Sequence, residues 1–219
     1  MNTRTSYNWE FSSGVKNPLN LNFIDFDSDY PVLNCEDVFF SEVVACNDYK
    51  KINKKTLVSM FIDDYILERF WRNPLNYIKR FEEAPAVLSP DFSVLVGMPK
   101  PIIYWQTYKN RLIGKIWKDS GLNVIPSITW SDKSSFDIVF QGVQKKSVVA
   151  VSNIGCRNEK HLKYFELGYN EMIKKINPNK IIFMCNKKYK KHFQNDNVVF
   201  IPSFWDKKRK IWEAEADKV

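Results

Sequence analysis

The sequence predicts an α/β domain: a mostly parallel sheet of about six strands with helices on both faces, either an open sheet or an incomplete barrel, preceded by an irregular acidic arm. Three observations carry this. Six short runs, 57–62, 86–88, 124–128, 148–151, 181–184 and 198–201, are apolar nearly throughout, as strands covered on both faces are. Amphipathic helical patterns separate them, and strand–helix alternation implies right-handed crossovers. The length, 219 residues, suits one large domain whose core forms without staples.

Residues 1–49 hold only Arg4 and Lys16 against eight acids and are broken by Asn17-Pro18 and Pro31. Yet Trp9, Phe11, Phe23, Phe26, Phe39 and Phe40 are too many aromatics for a disordered tail, so an arm packed on the body by aromatic anchors is expected. Lys50 to Lys55 mark the boundary of the α/β domain, 50–205. Asn73-Pro74 places an N-cap and a first-turn proline, with Ile78 and Phe81 continuing an apolar face. From Ile103 to Trp117, Tyr104, Tyr108, Leu112 and Ile116 fall at four-residue steps, and Ser120-Gly121 supplies the stop. Leu162, Phe165, Tyr169, Met172, Ile173 and Ile176 form another stripe, ending at Asn177-Pro178. Residues 206–219 run from Lys207-Lys208-Arg209-Lys210 to Glu213, Glu215 and Asp217, a solvated charged helix or tail.

Lysine and arginine total 33 against 25 acids, and eleven of the cations lie between Lys174 and Lys210 with only Asp196 and Asp206 opposing them. Such a surface concentrates polyanions, although AT-rich codon usage yields the same composition. The four cysteines show no C-x-x-C spacing, which argues against zinc and a disulfide framework and for a reducing cytoplasm. No apolar run approaches the roughly 18 residues of a membrane span. Seven glycines, without a G-x-G-x-x-G or a Walker lysine motif, leave no dinucleotide loop. His161 and His192 cannot supply H-E-x-x-H, and no histidine-x-histidine pair exists.

Ligands of parallel α/β folds gather beyond the carboxyl ends of the strands. Those positions are polar here: Asp63-Asp64, Ser89-Pro90-Asp91, Trp130-Ser131-Asp132 and Ser152-Asn153. Carboxylates converging on one edge repel unless a cation compensates, and Mg²⁺, held by one or two carboxylates with water and phosphate, is the natural candidate. Asp63, Asp64 and Asp91 are thus candidate metal ligands or acid and base, although each aspartate could instead cap a helix. Arg69 and Arg111 would neutralise phosphate. Ser89, Trp130, Asp132, Ser152 and Asn153 would border the substrate, with Trp130 offering a stacking face.

The series Phe61-Ile62-Asp63-Asp64-Tyr65, Glu68-Arg69, Asn73-Pro74, Leu88-Ser89-Pro90-Asp91-Phe92-Ser93, Met98-Pro99, Tyr108-Lys109-Asn110-Arg111, Val124-Ile125-Pro126, Trp130, Ser135-Phe136-Asp137 and Val149-Ala150-Val151-Ser152 resembles a family of phage-, plasmid- and bacterium-borne proteins defined only as a domain of unknown function. The resemblance spans about 56–203. It implies a mobile-element setting in a bacterial host and an α/β domain, and brings no established activity. Three functions stay open: a protein acting on nucleic acid or nucleotides, with Mg²⁺ at the aspartates; a non-catalytic module that blocks or recruits a host protein; and a small-metabolite hydrolase or glycosyl-transfer enzyme using two carboxylates.

Overall fold

The computed structural model describes residues 29–203, so Trp9, Phe11, Phe23 and Phe26 of the arm, Trp205 and the terminal segment 206–219 lie outside the described residues. All six apolar runs form strands, and a seventh precedes them inside the acidic stretch: β1 (Glu42–Ala45), β2 (Thr56–Ser59), β3 (Ala86–Leu88), β4 (Val124–Ile125), β5 (Val148–Ser152), β6 (Lys180–Met184) and β7 (Val198–Ile201). They are short because each needs only to cross the core before polar residues take over at its carboxyl end. Every strand pairing is parallel.

β1–β4 form one sheet and β5–β7 another, each in sequence order. The chain past β4 joins them: Ser127 bridges Ala150, with Ala150 N–H donating to Pro126 O and Ile128 N–H to Ala150 O, both at 2.9 Å. Seven parallel strands thus follow one another in chain order, as in a barrel. Its two edges approach each other. Val43 of β1 and Ile201 of β7 belong to the same core, and Ser41–Val44 face Pro202 across a gap of about 520 Å³. The arrangement is the incomplete barrel of the two alternatives.

The helices are α1 (Asp64–Arg72), α2 (Ile78–Phe81, after a 3₁₀ turn at Pro74–Tyr77), α3 (Lys100–Asp119), α4 (Phe136–Val139) and α5 (Glu159–Ile176). α3 ends where glycine was expected, Gly121 taking φ 96°, and α5 ends on a left-handed Asn177, φ 47°. Alternation on β5 and β6 serves two cores: Val149, Val151, Ile181 and Phe183 pack with α5, whereas Val148, Ala150, Ile182 and Met184 join β1–β3, α1 and α3. That is why these strands read as unbroken apolar runs.

Of the expected stripe on α3, Leu112 and Ile116 are buried, Tyr108 is half-buried and Tyr104 is 48 % exposed; the buried side also takes in Ile103, Thr107, Lys109, Asn110, Arg111, Ile113, Gly114 and Trp117. Two polar residues on that side brace the strand ends. Asn110 Oδ1 accepts from Ser89 Oγ at 2.9 Å, and Arg111 donates to Gln141 O at 3.0 Å, Ser127 O at 3.1 Å and Val139 O at 2.8 Å. Helix, strands and the following loop are fixed together at the level where the site begins.

Candidate functional site

Beyond the carboxyl ends of β3, β4 and β5 lies a cleft of about 390 Å³. The β3–α3 loop contributes Asp91 and Ser93 to Val96; the segment after β4 contributes Thr129, Trp130 and Ser131; β5 contributes Ser152 and Asn153; the start of α5 adds Cys156, His161 and Tyr164. Asp91 keeps part of its surface at the cleft, but its Oδ1 is wholly buried and has no hydrogen-bond partner among the described residues. Ser131 Oγ is buried and equally unpartnered. Asn153 Oδ1 accepts from Asn186 N–H at 2.7 Å, while its amide nitrogen, next to the Cys185 thiol, finds no oxygen acceptor. Buried polar groups are normally paired, so three cleft-lining residues that each carry such an atom single this cleft out.

Electrostatics single out Asp91. Burial, then the nearby Asp64 carboxylate, push its pKa up to about 7 from 3.8, against an opposing pull from Arg111. A carboxyl poised there exchanges its proton near neutrality. Cys156, by contrast, has its thiol pushed up to about 11 by burial and is a poor nucleophile.

The other expected site residues divide sharply. Asp91, Trp130, Ser152 and Asn153 line the cleft. Trp130 is a wall, not a free stacking face: it is 8 % exposed, its indole N–H donates to Phe165 O at 3.1 Å, and it packs on Phe165 with ring centroids 4.8 Å apart. Asp64 accepts from Ser93 N–H at 3.1 Å, Ser93 Oγ at 3.0 Å and Gln106 Nε2 at 3.3 Å, so it shapes the Asp91 loop with both oxygens engaged. Asp63 precedes α1, exposed and without a side-chain capping bond.

The three aspartates therefore do not form one ligand set. Among the described residues no group of three or more His, Cys, Asp or Glu side chains is placed to hold a metal ion. Ser89 is fully buried with its hydroxyl bonded to Asn110 and Ser127, and Arg111, 2 % exposed, spends its guanidinium on Asn110 and backbone carbonyls. Neither reaches a ligand. Arg69 stacks over Phe70 at 4.8 Å, flanked by Tyr49 and Tyr77.

Asp132 takes the capping role that was its alternative, accepting from Ser134 N–H at 3.0 Å and Ser134 Oγ at 2.6 Å at the turn Lys133–Ser135. Asp132→Ala should therefore cost about 1 kcal/mol in chemical denaturation, whereas Asp132→Asn should be nearly neutral. A large loss for the Asn variant would show that the charge itself is needed.

Thr129, Ser131, His161 and Tyr164 were not expected. The signal for Ser131 was present, since it sits between two singled-out residues; His161 and Tyr164 carried no motif that would place them at the site. The cleft mouth on that side is basic. Arg157, Lys160 and Lys163 are exposed around Cys156 and His161, and the turn Lys187–Phe193 is tied to the cleft through the Asn186–Asn153 bond.

Fold and cleft together define a parallel α/β protein with a cleft at the strand carboxyl edge. The chain belongs to the family described as Domain of unknown function (DUF4417), whose model matches residues 24–203. It is 31 % identical over 223 residues to the Gene 1 protein of Mycobacterium phage L5, covering 97 % of this chain and 96 % of that protein. It is 28 % identical over 217 residues to the Gene 1 protein of Mycobacterium phage D29, covering 95 % and 80 %. The family is thus phage-borne, as the resemblance implied. No solved structure matches the chain, and no described helix is long and apolar enough to cross a membrane.

Proposed function

We propose that the cleft binds a nucleotide or a nucleotide-like phosphorylated compound and that Asp91 exchanges a proton with it. The observation that carries this is that Asp91, Ser131 and Asn153 line one cleft of about 390 Å³ and each holds a buried polar atom, Asp91 Oδ1, Ser131 Oγ and the Asn153 amide nitrogen, with no hydrogen-bonded oxygen or nitrogen among the described residues. Neutral Asp91, Ser131 and the Asn153 amide can donate hydrogen bonds, and ring nitrogens, carbonyls and phosphate oxygens accept them. The lysines and Arg157 at the mouth favour an anionic ligand. Mg²⁺ enters this reading through Asp91, with the ligand's phosphate and water filling the rest of its shell, because Asp64 is already engaged.

Ser131→Ala tests the site without touching the fold. Removing an unsatisfied buried hydroxyl should leave stability unchanged or raise it by about 1 kcal/mol. The same change should weaken a bound nucleotide roughly tenfold, the worth of about one hydrogen bond. Calorimetry with mono-, di- and triphosphates of each base, with and without Mg²⁺, reads both. If no nucleotide binds, or Ser131→Ala binds as well as the parent chain, the reading fails. The binding-module alternative then gains, supported by Leu95 and Val96, which stand 61 % and 54 % exposed beside the cleft.

A further inference from the structure

A second concavity lies beside the basic turn. It measures about 490 Å³ and is lined by Lys187, Lys190 and Lys191 with Gln194, Asn195, Val198 and Phe200. We propose that this groove, between the turn Lys187–Phe193 and the outer strand β7, holds a single-stranded nucleic acid. This goes beyond the nucleotide reading: the groove is a separate site, and its occupant does not depend on what the cleft binds.

The turn is built to present cations. Tyr189 and Phe193 are buried in the core under α5, which fixes the backbone, while Lys187, Lys190 and Lys191 remain exposed. Lys188 points its charge elsewhere, 3.4 Å from Glu159. Lys187, Lys190 and Lys191 make no ion pair with any described acid within 4.0 Å; the exposed Asp196 is the single acid between Lys187 and Phe200. Unpaired lysines along a groove are what a phosphate backbone needs.

Two further features select a strand over a duplex or an acidic protein. Phe200 is half-buried, its ring stacked on Phe183 at 5.8 Å and 28°, with the mobile ammonium of Lys190 at 4.8 Å from its centroid. A base can displace that lysine and use the ring as a platform, as single-strand binders do irrespective of sequence. Gln194 and Asn195, both exposed, offer amides to base edges. A duplex hides its base faces and would be indifferent to Phe200. The groove and the cleft share no lining residue; the bond from Asn186 N–H to Asn153 Oδ1 at 2.7 Å ties the start of the turn to the cleft wall.

The test uses the full chain, a labelled oligodeoxythymidylate of about 12 nucleotides, a duplex of equal length and polyglutamate, followed by fluorescence anisotropy across a salt series. The oligothymidylate should bind more tightly than the duplex, with log Kd rising against log salt by about 0.7 per phosphate neutralised, so by about 2 for three lysines. Lys190→Glu with Lys191→Glu should weaken it more than tenfold and flatten that slope. Phe200→Leu, which keeps an apolar side chain against Phe183, should weaken the oligothymidylate several-fold, leave the slope intact and leave the duplex unaffected. Circular dichroism of each variant confirms the fold.

Ser131 lines the cleft and not the groove, so Ser131→Ala should leave oligothymidylate affinity unchanged even where it weakens mononucleotide binding, which separates failure of the cleft from failure of the groove. Absence of binding at about 50 mM salt, indifference to the double glutamate change, or equal affinity for polyglutamate overturns the proposal. Duplex preference with a silent Phe200→Leu does the same.

Discussion

Gly168→Ala is expected to be the most damaging single methyl group that can be added to the described core. Gly168 lies in the middle of α5 facing Trp130, and a Cβ built there falls 2.2 Å from both Cδ1 and Nε1 of the indole. The indole can yield only toward the cleft it lines. It is held between Phe140 and Phe165, with centroids at 6.0 and 4.8 Å, and its N–H is committed to Phe165 O. Overpacking costs typically 1–3 kcal/mol and more where neither side yields. We therefore expect about 3 kcal/mol, seen as a fall in Tm of roughly 6–12 °C for a chain of this size. Because the same indole forms a wall of the cleft, ligand binding should weaken too. Trp130→Phe in the Gly168→Ala background should recover part of the loss, giving a coupling of about 1 kcal/mol in a double-mutant cycle. Additive losses would mean that the close approach is not what Gly168 is for.

The relation between Gly168 and Trp130 was not legible in the sequence, and the reason is general to this chain. What was legible is whatever local patterning dictates: six strands from apolar runs, the ends of α3 and α5 from Gly121 and Asn177, and the site edge from the polar residues that follow parallel strands. Asp91, Trp130, Ser152 and Asn153 came from that last rule and do line the cleft. β1 escaped because Glu42–Ala45 is four residues long inside a stretch dominated by acids and breakers. Arg111 was assigned to phosphate by its charge; only the tertiary fold shows its donors absorbed by Ser127, Val139 and Gln141 carbonyls. The extra breadth of the buried side of α3 has the same origin, since Asn110 and Arg111 are polar yet face inward and no hydropathy pattern counts them as core. The aspartate cluster failed on geometry: adjacent strands do bring Asp64 and Asp91 close enough to feel each other, but Ser93 and Gln106 claim the first and leave the second alone.

That division of labour makes Asp91 the residue whose titration should govern stability near neutral pH. Its folded pKa, raised to about 7, exceeds the ordinary 3.8, so between those values the folded chain holds a proton that the unfolded chain has released. Stability is then fully present below about pH 4, declines as pH rises, and is flat again above about pH 7. A shift of about three units corresponds to roughly 4 kcal/mol at most, and the part of Asp91 open to the cleft reduces this to on the order of 2–4 kcal/mol. Asp91→Asn carries no charge to desolvate or to oppose Asp64. It should match the parent chain below about pH 4, draw ahead as pH rises past that value, and exceed its Tm by roughly 5–10 °C at pH 8. Subtracting the two profiles removes every titration common to both proteins and leaves that of Asp91. The same measurement decides the place of Mg²⁺: an ion on Asp91 substitutes for the proton, so millimolar Mg²⁺ should restore the parent chain's stability at pH 8, do little at pH 5, and leave Asp91→Asn unmoved at either. Parallel profiles for the two proteins between pH 5 and 8 would show Asp91 ionised throughout and remove it as the proton donor of the cleft. A Mg²⁺ shift that persists in Asp91→Asn would place the ion elsewhere.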